Sequence, residues 1–448
     1  MDSRDDETTA APTRTASIGS KMSTKEDTVA EKSQDIEVQA QLPAEPLLPP
    51  LEGRRAWLMA TGGFLGLFAT FGFTNGFGAY QNYYLQQYDT TSATISLVGG
   101  LQVAMLYLGG PFSGRAVDVF GPKLVIGTGT IICTFSLMML SLTSAIWQVF
   151  LCQGLLYGIG MSFVFFPCIS MPATYFLRHR GLAIAFVTCG ASLGGVIWPI
   201  MLSRLLREVG FGWSTRISAF VVLVACGAAT IILEPRVAPK RGQSIIPDFS
   251  LLRKKSFLAL LLANCIGYFA LFGPIFNIQS RAVSLGVRAS LTPYILPILN
   301  AVSLLGRIIP GMISDRLGPM NTWTMANFLG AIVIFAAWIP SHNELGILWT
   351  AALYGITSGA WVSVLPGCVP RLAGPENVAS SFGLLYFMSW PGGLAGAALG
   401  GLFIHPNAEN AQVGYQRAGI LWGCLLLAST CLVIVSRLLH NSKLLAAE

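Results

Sequence analysis

Residues Gly110–Lys123 read GPFSGRAVDVFGPK, and residues Pro310–Met320 read PGMISDRLGPM. Each stretch drops charge onto the end of an otherwise apolar run. In register, Gly114, Asp118, Gly121 and Pro122 return as Gly311, Asp315, Gly318 and Pro319, at an offset of 197 residues. Leu108-Gly109 returns as Leu305-Gly306 at the same offset. A small charged motif repeated at this distance marks an internal duplication.

The sequence around the two copies is 53% hydrophobic and only 11% charged, whereas a soluble domain carries about 25% charged residues. Apolar segments long enough to cross a bilayer recur along the chain. They fall at roughly 57–78, 93–113, 124–144, 147–169, 181–203, 214–233, 257–279, 291–313, 322–340, 345–366, 378–404 and 415–436. The expected fold is an all-α membrane protein of twelve transmembrane helices in two pseudo-symmetric six-helix halves. The halves are 51–233 and 257–437, joined by a basic linker at 234–256. Residues 1–50 are rich in Ser, Thr and both charge signs and read as a disordered tail; residues 438–448 form a second, short tail.

Where the charge sits says more than its total of +7. Arg54, Arg55, Arg115, Lys123, Arg178, Arg180, Arg316 and the linker cations gather on one side of the expected spans. By the positive-inside rule both termini and the linker are cytoplasmic. The basic character therefore belongs to topology beside a lipid bilayer and does not point to nucleic acid. The nine Cys lie in or beside apolar spans without metal-ligand spacing, so they read as small buried hydrophobes. Without clustered Asp or His at membrane depth, or a phosphate-binding loop, the reading is not an enzyme and no cofactor is expected.

The repeated motif has a physical reading of its own. Gly114 and Gly311 let helices approach closely. Asp118 and Asp315, each followed or preceded by Arg115 or Arg316, stand where a carboxylate meets a cation or a helix N-terminus. Gly121 and Gly318, each before Pro, end the helix and turn the chain. These residues are expected to form a latch that biases one conformation against another.

At this point the chain resembles the major facilitator superfamily, whose signature loop between the second and third spans has the form GxxxDxxG with basic residues after it. The likeness extends to the fungal form of the monocarboxylate-transporter-like branch. That branch opens its first span with an acidic residue, Gly, two variable or aromatic positions, a small residue and Trp; Glu52–Trp57 reads EGRRAW, departing at Arg54 and Arg55. YFLRHRGLAIAFVTCGASLGG (175–195) and GFGWSTRISAF (210–220) are similar too. The resemblance covers about 52–440 and implies a secondary transporter.

Ionisable residues inside spans are costly and mark pathways. Arg307 stands out, eight residues before Asp315 and so about 12 Å along a helix. Its planar guanidinium suits a carboxylate, and the resemblance implies an Arg at this place in the eighth span. Asn300 lies two turns earlier on the same face. In the first span, Asn75 and Tyr80 are the polar candidates, while Tyr83 and Tyr84 read as interfacial belt. Trp198 is a weaker candidate for a wall of the site. Animal members of the branch carry an Asp where this chain has Ser303, and a Lys where Ala79 stands. With no acid deep in any span, proton coupling stays open. The expected function is movement of a small organic solute, a monocarboxylate or amphipathic metabolite, across the plasma membrane, leaning to efflux of a secondary metabolite. Uptake of a nutrient, a transporter-like sensor and a vacuolar location stay open on the sequence.

Overall fold

The computed structural model describes residues 52–236, 239, 249–373, 378–401, 403 and 411–440. The expected tail over 1–50, linker residues 237–238 and 240–248, and residues 441–448 lie outside them. Apolar runs in lipid close their backbone hydrogen bonds within themselves, and each run is helical. In chain order the spans are α1 (Arg54–Gln87), α2 (Ser92–Leu108 with Gly110–Phe120), α3 (Pro122–Leu140) and α4 (Ile146–Tyr175). Then come α5 (Arg180–Glu208), α6 (Gly210–Ile232), α7 (Lys255–Ser284) and α8 (Thr292–Leu317). The last four are α9 (Pro319–Trp338), α10 (Glu344–Ala373), α11 (Val378–Phe387 with Trp390–Gly401) and α12 (Ala411–His440).

Ten of these are single helices long and apolar enough to cross a bilayer, and α2, bent by 41° at Gly109, makes an eleventh. α11 is the twelfth and comes in two short pieces. Its break is tied down from α7, where the Asn264 amide donates to the Leu385 carbonyl (2.9 Å) and to Ser389 Oγ (2.8 Å). The all-α, twelve-span architecture expected from the apolar runs is the one observed.

Several boundaries move outward, most of all in the first two spans. The first span lengthens from 57–78 to Arg54–Gln87, and the second, expected to end near 113, stays helical to Phe120. The charged motif is thus the last three turns of a helix rather than a loop, with Gly110, Pro111, Ser113, Gly114, Arg115, Ala116, Val117 and Val119 buried. The turn itself is a single residue. Gly121 takes φ +86° and Gly318 φ +85°, a region only glycine enters freely. In both copies the next residue is a Pro whose fixed φ opens the following helix.

Within the first half, α1 and α5 approach until backbone touches backbone. A Cβ on Gly190 would stand 2.1 Å from the Phe64 carbonyl oxygen. In lipid, where apolar side chains gain nothing by leaving solvent, such contact is what holds helices together.

Candidate functional site

At one end of the bundle the Glu234 carboxylate binds Arg55 at 2.5 Å and Lys123 at 3.0 Å, which holds it below the ordinary Glu value. At this same end two seams join the halves. The first runs antiparallel between α8 and α5. Asp315 accepts from the Gly181 amide (2.6 Å) and the Leu182 amide (3.0 Å). Arg307 Nη1 donates to the Thr188 carbonyl, Ser303 and Ser192 share a 2.6 Å hydrogen bond, and Asn300 packs where a Cβ on Gly195 would stand. The second seam runs between α2 and α11. Asp118 accepts from the Ser380 amide (3.1 Å) and hydroxyl (2.5 Å), and a Cβ on Gly383 would lie 2.1 Å from the Gly110 carbonyl oxygen.

The two seams are the same device used twice. Each Asp of the repeated motif places its charge on the unsatisfied amides that begin a helix of the other half, where the helix dipole favours an anion. Glu52 adds a third carboxylate at the start of α5, accepting from the amides of Leu177 (3.1 Å), Arg178 and His179 (3.0 Å). Burial alone would raise its carboxyl; the His179 and Arg178 amides outweigh that and hold it below the ordinary value. Among the expected latch residues, Gly114, Asp118, Gly121, Gly311, Asp315 and Gly318 stand in the seams or their turns. Arg115 is buried in α2, whereas Arg316 faces outward and is exposed. Arg316 follows Asp315 at the end of α8, on the exposed surface of that end of the bundle.

Between the halves lies a cavity of about 150 Å³, room for on the order of ten waters. Its lining comes from α1, α2, α4 and α5 of the first half and from α7, α8, α10 and α11 of the second. The spans left out, α3, α6, α9 and α12, occupy matching places in the two halves. Eight of the 27 lining residues are aromatic and one is charged, Arg307. Arg307 is 6% exposed, and its Nε is buried without a partner. An unpaired donor on a buried cation is costly, and a bound anion would satisfy it.

The cavity gathers three of the four residues singled out for substrate contact: Arg307, Asn300 and Asn75. Asn75 Nδ2 reaches the Ala191 carbonyl at 3.5 Å, and Asn300 Nδ2 donates to Leu296 at 3.2 Å. Tyr80 does not line it. It is fully buried between α1 and α6, its hydroxyl 3.3 Å from Thr215 Oγ1 and its ring packed on Tyr84 and Phe211. Tyr84, read as interfacial belt, is also core, donating to Gln153 at 2.7 Å. Trp198 likewise turns inward to the Phe68 carbonyl at 2.9 Å. All three lie on the sides of their helices that face neighbours rather than the cavity, a choice of face that apolar sequence on every side does not reveal. Tyr107, Tyr268, Tyr386 and Phe165 line the cavity without having been singled out. Each sits in an apolar run where nothing distinguishes a wall residue from a packing one.

Two six-helix halves, seamed at one end and parted around a central cavity lined by matching helices, define a carrier that works by alternating access. The chain belongs to the Major Facilitator Superfamily, whose profile matches residues 62–397. It is 36% identical over 416 residues to MFS-type transporter 1 of Ophiocordyceps sp. (strain BCC 1869), covering 91% of each chain. It is 32% identical over 435 residues to the agnestins efflux protein AgnL12 of Paecilomyces divaricatus, covering 92% of this chain and 99% of that one. In fold it aligns with the human organic anion transporter MFSD10 (TETRAN) over 87% of this chain and 100% of that one, with a TM-score of 0.67 at 15% identity.

Proposed function

We propose that this transporter exports a small amphipathic organic anion, a secondary metabolite, across the plasma membrane. The observation that carries the reading is Arg307: a buried cation with an unpartnered Nε, in a cavity whose described lining holds no carboxylate to neutralise it. Efflux is supported by likeness to a protein named for the efflux of agnestins. Glu52, Arg307 and the segment 175–195 support placing the chain in the monocarboxylate-transporter-like branch, since Glu52 binds the very segment that carries the rest of that resemblance.

In this reading the termini and linker are cytoplasmic, as the basic residues direct. The seamed end is then the cytoplasmic gate, closed, and the halves 51–233 and 257–437 rock about the cavity to open it. Breaking the Asp118 and Asp315 caps is the local cost of that opening. Any coupled proton travels on the cargo, because the described lining offers no Asp, Glu or His to carry one. The test is an untargeted comparison of small molecules in cells and medium, with and without the gene. An organic acid that accumulates inside when the protein is absent supports export; a medium component left unconsumed replaces export with uptake.

A further inference from the structure

The cation is only one part of the cavity; the rest of its deep wall is a set of rings drawn from both halves. Tyr107 on α2 stacks on Tyr386 of α11 at 5.8 Å and 10°, and its hydroxyl donates to the Tyr268 hydroxyl on α7 at 3.3 Å. Phe165 on α4 meets Tyr386 edge-on at 5.5 Å, and Phe272, one turn from Tyr268, packs against it at 5.6 Å. All five line the same cavity as Arg307.

We propose that the cargo is a planar aromatic acid, its ring system held among Tyr268, Tyr386 and Phe272 and its acid group on Arg307. This deepens, and rests on, the reading of the cavity as an anion export site. Rings already paired in stacked and edge-on geometry exchange one aromatic partner for another at little loss, and they reward an aromatic guest beyond the area it buries. An aliphatic chain gains the area alone. The Tyr107–Tyr268 bond can be traded for one to a keto or phenolic oxygen on the guest, while Tyr268 keeps its contact with Ser389. A guanidinium is itself planar and delocalised and favours the flat carboxylate or enolate that such rings carry.

The alternative is that the rings only pack the halves together, and binding of three probes to the purified full-length chain in nanodiscs separates the readings. The probes are 2-naphthoate, octanoate and 2-naphthamide. The expected result is that 2-naphthoate binds at least tenfold more tightly than either other probe. Tyr386→Leu then brings 2-naphthoate down to octanoate and leaves octanoate within twofold; if Tyr386→Leu does not yield folded protein, Phe272→Leu is read the same way. Equal binding of octanoate and 2-naphthoate overturns the aromatic class while the anion reading stands. Equal binding of 2-naphthamide and 2-naphthoate overturns the anion reading while the ring site stands. Absence of binding by all three at millimolar concentration overturns the proposal.

Discussion

The Asp315 carboxylate of the second half and the Gly181 amide of the first stand 2.6 Å apart, and 197 residues earlier Asp118 makes the corresponding contact with Ser380. One motif, duplicated, caps one helix in each opposite half. Both caps form in the same conformation.

Replacing Asp315 by Asn removes the charge and one acceptor while keeping the shape. A charge-assisted bond to a helix start contributes about 1–2 kcal/mol, so the open form is expected to gain roughly five- to thirtyfold in population. Cys189 reports it: its thiol is 4% exposed and lies in the seam against the Leu304 carbonyl. In a background with the exposed Cys424 and Cys431 changed to Ser, maleimide labelling of Cys189 is expected to speed up in Asp315→Asn. It is expected to rise further in the double variant with Asp118→Asn. Unchanged labelling would mean that the caps do not hold the gate.

Arg307→Lys keeps the charge but loses the planar fork. Transport of the cargo is expected to fall at least tenfold at unchanged protein level in the membrane, and Arg307→Gln to abolish it. Normal flux in Arg307→Ala would remove this residue from the site.

Tyr80→Phe deletes a hydroxyl that bonds Thr215 inside the first half. Transport is expected to stay within twofold, with a stability cost of about 1 kcal/mol in thermal unfolding. A large loss of flux at unaltered stability would return Tyr80 to the pathway.

Gly190 and Gly383 each leave no room for a methyl group, the first inside one half and the second across the seam. Gly190→Ala is expected to lower the melting temperature. Gly383→Ala is expected to act on the equilibrium between states, raising Cys189 labelling with a smaller change in melting.

The Glu52 carboxyl lies below its ordinary value in the folded protein. Its stabilising contribution is therefore present above the unfolded value of about 4.3 and lost as pH falls through the lower, folded value. Labelling of Cys189 at pH 6 to 7 is expected to be flat in this respect. Glu52→Gln is expected to show at neutral pH the looser start of α5 that the parent shows only in strong acid.

The amino-acid sequence alone determined the number of the spans, the duplication and the cation. Those features are written in chemistry that varies along the chain: apolar length, a motif repeated at an offset of 197 residues, and one Arg in a run with no other charge. It also placed Asn300 and Arg307 on one face, because seven residues make two helical turns. What the tertiary structure decided is which face of each helix meets the cavity. Tyr80, beside Gln81 and Asn82, is core, whereas Tyr107, in an apolar run, lines the site. In a bundle surrounded by lipid, hydrophobicity no longer tells inside from outside, and only the packing of small residues against neighbouring backbone sets the rotation of each helix. The partners of Asp118 and Asp315 were likewise beyond the sequence, since a helix start offers bare amides that any residue can present.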